Sequence, residues 1–265
     1  MSKIHPTAVV DPGAKLADDV TVGPLSVIGS EVELGAGVEI GPQVCITGRT
    51  RIGARTRVYP FAVLGQTPQV LGFDGKAGEL VIGEDNEIRE HVSIHVGLPV
   101  HGGVTSIGDH NLIQNGFHIA HDCQIGNYCV LAGMSGFAGH CIVEDFAVVG
   151  AMSGIHQFVR IGESAFTAGN SMVSKDVPPF AKVAGDRARF VGVNTINLER
   201  RGFDKDRIAT IKHAFHLLFQ SKTPFEKGLM GSSWAASLIW AWMVAIWACS
   251  ISMGMAAIRA LILFL

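Results

Sequence analysis

An aliphatic residue recurs at every sixth position from the start of the chain: Ile4, Val10, Leu16, Val22, Ile28, Leu34, Ile40, Ile46, Ile52, Val58 and Leu64. Four places after each comes a small or β-branched residue, from Ala8, Ala14 and Val20 through to Thr50, Thr56 and Ala62. The register resumes at Ile82, Ile88 and Ile94, then runs from Ile107 through Ile119, Leu131 and Val149 to Ile161. A period of six matches neither the 3.6 of a helix nor the alternation of an ordinary strand. Three hexads instead close one triangular coil, with the first and fifth positions pointing inward. Successive coils then stack their short strands at about 4.8 Å. Two segments break the hexads, 66–81 and 96–106, and loops thrown out of a rigid scaffold commonly carry ligand contacts.

Composition narrows the function classes. The chain has 265 residues, 48% hydrophobic and 17% charged, with a formal net charge of -2. That balance excludes a nucleic-acid binder held by phosphate electrostatics, and it is too apolar for a disordered chain. Five cysteines with no Cys-x-x-Cys pair argue against a disulfide framework or a zinc ribbon, and fit a reducing, cytoplasmic compartment. Cys123, Cys129 and Cys141 fall in the small inward slot and Cys45 beside Val44, so packing rather than thiolate chemistry is expected of them. The N-terminal run shows no apolar segment of the signal-peptide kind.

The remaining positions of each hexad are corners or surface, where polar residues are free for chemistry. His118, His121 and Asp122 lie in adjoining hexads, His140 follows Asp122 by eighteen residues, and His156 lies one coil beyond His140. Three readings fit such a cluster: a solvated histidine patch, an acid–base site, or a zinc site in which His118, His121 and a third histidine supply three imidazoles, as in gamma-type carbonic anhydrases.

The stretches IHPTAVVDPGA, REHVSIHVG, NGFHIAHDCQIGN, LAGMSGFAGH, GIHQFVRIG, KDVPPFAKVAGDRA, FVGVN and ERRGF, spread over about residues 3–222, resemble the UDP-N-acetylglucosamine O-acyltransferase family, which opens lipid A biosynthesis. The resemblance implies a left-handed parallel β-helix, a known exception to the right-handed crossover rule. It also implies transfer of an (R)-3-hydroxyacyl group from acyl carrier protein to the 3-hydroxyl of UDP-N-acetylglucosamine, in a homotrimer, without metal or organic cofactor. His121 would be the general base, a task suited to an imidazole with an ordinary pKa near 6.5. Asp122 would orient that ring, and Gly139 N–H would stabilise the oxyanion. Gln69, His118, His140, His156 and Gln157 would position sugar or acyl group; Asn194, Arg200 and Arg201 would meet the nucleotide phosphates. Gly169, with Phe166 close by, matches the residue that measures the acyl chain, and a glycine there leaves room for a longer one. A non-catalytic prism that binds carrier protein or serves as structure is the remaining alternative.

Two stretches depart from the family. Val70, Leu71, Gly72 and Phe73 stand where an Asp-Leu-Lys-Tyr run is usual, and Ile94, His95, Val96 stand where Ile-His-Arg is usual. Both changes remove polar groups expected near the sugar.

These readings divide the chain into an acyltransferase β-helix over residues 1–190 and an α-helical region over 191–265. Phe203 to Lys222 reads as an amphipathic helix with Asp204 as N-cap and Ile208, Ile211, Phe215 and Leu218 on one face. Residues 228–258 carry no charge and all four tryptophans. That run is long enough to span a bilayer, and it reads as a membrane anchor, a buried apolar hairpin or a tail translated in a changed frame.

Overall fold

The computed structural model describes residues 2–219 of the chain. The hexads close into a left-handed parallel β-helix. Among the described residues the strands form sheets of eleven, nine and eight strands, each sheet collecting essentially every third strand along the chain. Lys3 pairs with Thr21, Val9 with Val27 and Lys15 with Glu33, so one coil consumes eighteen residues. The first and fifth hexad positions fill the interior: Val20, Val22, Ile28, Val32, Val38 and Ile40 are all buried. Ile4 is 42% exposed because its coil is the first and has a neighbour on one side only.

Polar residues in the fifth slot extend the ladder inside the prism. Asn86 Oδ1 accepts the Asn111 N–H at 2.9 Å, and Asn111 Oδ1 accepts the Cys129 N–H at 2.7 Å. Ser135 Oγ and Ser153 Oγ likewise accept the N–H groups of Ser153 and Ser171. These buried groups are satisfied by the next coil, which removes the penalty of enclosing them.

The fourth position of most hexads turns the corner. Eighteen non-glycine residues among those described hold φ between 53° and 67°, including Asp122, His140 and Phe158. Each costs of order 1 kcal/mol and persists because the coils on either side dictate the backbone there.

The two inserted segments leave the prism where they were expected, and they are tied to each other. Gly78 N–H donates to Gly97 O at 2.8 Å, Gly97 N–H to Glu79 O at 3.1 Å, and Glu79 N–H to Gly103 O at 2.7 Å. Pairing resumes in register a few residues before the expected end of either segment: Glu79–Ile82 aligns with Val104–Ile107.

The contact pattern divides the chain at Val191/Gly192. In the second unit, helix α1 spans Thr195–Arg200 and helix α2 spans Lys205–Phe219. The helix expected from Phe203 starts later because Gly202, at φ 81°, turns the chain out of α1. Asp204 caps α2 as expected, its Oδ1 accepting the Arg207 N–H at 2.7 Å. Ile208, Ile211 and Phe215 are buried; the Leu218 side chain lies outside the described set, as do residues 228–258 and all three readings of them. Among the described residues no helix is long and apolar enough to cross a membrane.

Phe137 is buried and packs edge-on against Phe117, ring centroids 5.0 Å apart. Phe137→Ala is expected to lower stability by about 3–5 kcal/mol in urea denaturation. Met134→Ala, at a corner 67% exposed, should change it by less than about 0.5 kcal/mol.

Candidate active site

Eighteen-residue stacking turns one corner of the prism into a lattice. Ser93 pairs with His118, His118 with Gly136, and Gly136 with Gly154 along the nine-stranded sheet. One step along each strand and round the corner come Ala120, His121 and Asp122, then Ala138, Gly139 and His140, then His156, Gln157 and Phe158. The small residues 120, 136, 138, 139 and 154 leave a strip of bare backbone bordered by imidazoles.

His121 Nδ1 lies 2.8 Å from Asp122 Oδ2. The Asp122 carboxylate is buried and acceptor-only when ionised, so the ring donates through Nδ1 and presents Nε2 as its basic nitrogen. Leu98 N–H donates to the same carboxylate, 3.1 Å and 3.2 Å from its two oxygens. The Asp122 N–H donates to the buried Thr105 Oγ1 at 2.8 Å. The far edge of the His121 ring abuts Gly139: a Cβ there would stand 2.6 Å from His121 Cε1 and 2.8 Å from Nε2, so only glycine lets the imidazole lie against this backbone. Among the described residues the Gly139 N–H takes no hydrogen-bond partner.

His140 links to His121 through its N–H, which donates to the His121 carbonyl at 3.1 Å. Its ring meets His121 edge-on at 5.1 Å and stacks on Phe158 at 4.6 Å. His118 Nδ1 lies 2.8 Å from Ser93 Oγ, and burial pushes its pKa down. The donor atoms of His121, Asp122 and His140 lie within 4.8 Å of one another, so the set that gathers differs from the three imidazoles built on His118 that a zinc reading requires.

Sequence reasoning assigned no role to His95. The residue is 4% exposed, its ring meets His118 edge-on at 4.9 Å, and among the described residues its Nδ1 has no partner. Desolvation, reinforced by His118 and His121, pushes its pKa down to about 4. The signal was Ser93 falling in register with His118, hidden because segment 96–106 makes that spacing twenty-five residues instead of eighteen.

The other expected residues are placed elsewhere. His156 and Gln157 are exposed on the same corner, higher up the prism, with His156 Nδ1 3.1 Å from the Gln157 carbonyl. Gln69 is exposed on the first inserted segment, where Leu71 is fully solvated and Gly72 has nothing within 4 Å of a built Cβ. Gly169 follows the Phe166–Thr167 strand of the eleven-stranded sheet and so lies at a different corner from His121. Asn194, buried, and Arg200 and Arg201 belong to the second unit, where the Arg201 guanidinium lies 5.4 Å from the Phe203 ring. Two of the inward thiols are held protonated: the Cys123 thiol is pushed up by its hydrogen bond with Cys141 and by burial, and burial pushes Cys129 up to about 12. Cys45 differs from them in lying half-exposed, 3.8 Å from Gln66 Nε2.

His95 makes stability depend on pH. The unfolded chain protonates this ring near pH 6.5 and the folded chain only near 4, so its contribution is complete above 6.5 and declines as pH falls toward 4. The loss across that window is about 2–3 kcal/mol. Urea denaturation at pH 7 and pH 4.5 should show a smaller pH effect in His95→Gln than in wild type.

Comparison with known proteins places the chain in a family. A family model described as UDP-N-acetylglucosamine O-acyltransferase, domain 2, matches residues 176–233. The acyl-[acyl-carrier-protein]--UDP-N-acetylglucosamine O-acyltransferase of Herminiimonas arsenicoxydans is 47% identical over 227 residues, 86% of this chain and 87% of that protein. The protein of the same name from Myxococcus xanthus is 46% identical over 230 residues, 87% and 89% of the two chains. The crystal structure of LpxA from Acinetobacter baumannii superposes with a TM-score of 0.82 at 39% identity, covering 85% of this chain and 87% of that one. This chain belongs to the UDP-N-acetylglucosamine O-acyltransferase family.

Proposed function

We propose that this protein transfers an (R)-3-hydroxyacyl group from acyl carrier protein to the 3-hydroxyl of UDP-N-acetylglucosamine, the opening step of lipid A biosynthesis. The observation that carries the reading is the His121 ring, hydrogen-bonded to Asp122 through Nδ1 and lying against Gly139. His121 Nε2 takes the hydroxyl proton as the sugar oxygen attacks the thioester carbonyl carbon. The negative charge moves to the carbonyl oxygen, where the Gly139 N–H stabilises it. Collapse of the tetrahedral intermediate expels the carrier's thiolate, which recovers the proton from the His121 imidazolium. Asp122 holds the ring in the right tautomer and stabilises the cation between the two transfers. The neutral imidazole of His118, kept uncharged by burial, and the exposed His156 and Gln157 border the strip along which sugar and acyl chain would lie.

Asn194, Arg200 and Arg201 are assigned to the nucleotide phosphates, for which guanidinium groups supply paired donors. Gln69 is assigned to the sugar; with Val70, Gly72 and Val96 in place of charged or polar residues, sugar binding here leans on the corner histidines. Flat sheet faces favour assembly of three prisms, so we assign a homotrimer. The absence of disulfides at Cys45, Cys123, Cys129 and Cys141 fits a cytoplasmic enzyme.

Acyl transfer from a 3-hydroxyacyl carrier protein to UDP-N-acetylglucosamine tests the reading. His121→Ala is expected to lower kcat by about 10²–10⁴-fold with no stoichiometric zinc in either sample; an unaffected rate, or bound zinc, would refute it. A Cβ at Gly169 meets only the Ala151 backbone, its O at 3.2 Å and its N at 3.7 Å, so a larger side chain fits there with a small shift. Gly169→Met is accordingly expected to move the preference toward shorter acyl chains in a competition assay, and an unchanged preference would remove Gly169 as the ruler.

A further inference from the structure

The corner that carries Asp122 departs from the corners above it. His140 N–H donates to the backbone carbonyl of His121, and Phe158 N–H to that of Gly139, each nineteen residues earlier in the coil below. Below Asp122, segment 96–106 swings out of the prism, and the Asp122 N–H is met instead by the hydroxyl of Thr105 at 2.8 Å. Thr105 is fully buried, returns with the strand Val104–Ile107 and pairs with Leu80. The same inserted segment presents Leu98 N–H to both carboxylate oxygens of Asp122, one of which also meets His121 Nδ1. Among the described residues every hydrogen bond of the Asp122 side chain and N–H, other than the one to His121, therefore comes from this segment.

The position of Leu98 is itself fixed. Gly97 donates to Glu79 O and accepts from Gly78 N–H, so its peptide is held by the strand that closes the first inserted segment. A Cβ on Gly97 would overlap the backbone of Gly103 and Val104, so no other residue fits that close approach. Leu98 follows in extended conformation, φ −104° and ψ 123°, before the short turn Pro99–His101. Its N–H is thereby aimed at the carboxylate by backbone contacts on both sides.

We propose that segment 96–105 is a positioning device for the His121–Asp122 pair. Thr105 Oγ1 and Leu98 N–H fix the Asp122 backbone and carboxylate in the orientation that meets His121 Nδ1, which makes Thr105 and Gly97 positioning residues for acyl transfer. The inference rests on the general-base reading of His121 and adds the groups that hold the dyad in place. It also links the first inserted segment to the dyad through Gly78, Glu79 and Gly97.

The test uses the full chain, with 3-hydroxyacyl carrier protein and UDP-N-acetylglucosamine as substrates. Thr105→Val keeps the shape and removes the hydroxyl; it is expected to lower kcat by about tenfold or more while KM for the sugar nucleotide stays within about twofold. Thr105→Ser, which restores an acceptor, is expected to recover most of the loss. Gly97→Ala keeps the Thr105 hydroxyl but presses on the Gly103 and Val104 backbone and displaces Leu98 N–H, and it is expected to show the same split between kcat and KM. Thermal unfolding confirms that each variant is folded, and Gly97→Ala alone decides the question if Thr105→Val does not fold. Asp122→Asn separates this inference from the reading beneath it. If Asp122→Asn cuts kcat by about a hundredfold while folded Thr105→Val or Gly97→Ala stays within twofold of wild type, the positioning device is overturned. A Thr105→Ser rate as low as that of Thr105→Val overturns the role of the hydroxyl, and an Asp122→Asn rate equal to wild type removes the dyad and this inference together.

Discussion

The hydrogen bonds that tie each coil to the next are the constraint on which everything else in this structure depends. Because each peptide N–H in a strand donates one coil onward, a residue's place in the hexad decides whether it faces in, faces out or turns a corner. The interior then needs only aliphatic and small residues at two positions in six, and the other positions carry almost no packing obligation. That freedom lets four histidines and an aspartate accumulate on one edge without weakening the core. The same rigidity lets a ring be placed against a backbone, as His121 is against Gly139, with a closeness that a mobile loop would not sustain.

Where the lattice is broken, chemistry is concentrated. The corner at Asp122 holds a non-glycine residue at φ 59°, as most corners do, but the segment beneath it has been extruded and replaced by a threonine hydroxyl and a loop N–H. Burial then selects protonation states. His95 is kept neutral far below pH 7, His118 is pushed the same way, and burial holds the Cys123 and Cys129 thiols in their protonated form. Neutral imidazoles accept and donate hydrogen bonds without competing electrostatically with the cation that the proposed mechanism places on His121.

Much of this was legible in the residues. A period of six over some 160 residues admits few architectures, and arithmetic in eighteens stacks His140 on Asp122, whereas Gly139 was legible only through the family resemblance. What arithmetic missed lies across the inserted segments. His95 and His118 are neighbours because Ser93 pairs with His118 across twenty-five residues, and the length of an extruded loop cannot be subtracted without knowing where pairing resumes. Thr105 and Leu98 were silent for a related reason, since one acts by a hydroxyl and the other by a backbone N–H whose aim depends on the loop's path. The range expected for α2 began two residues early, at Phe203, although its own N-cap, Asp204, already implied a first helical residue at Lys205.

The account turns on one proton. If Asp122 holds His121 as described, the ring at neutral pH carries its hydrogen on Nδ1 and leaves Nε2 bare toward Gly139. Nitrogen-15 NMR of the imidazoles in uniformly labelled protein, with His121 assigned by comparison with a His121→Gln sample, reads that tautomer directly. The account predicts a protonated Nδ1 hydrogen-bonded to a carboxylate and an unprotonated Nε2. A neutral His121 with its proton on Nε2 would contradict it, since that ring would have no lone pair to offer the sugar hydroxyl.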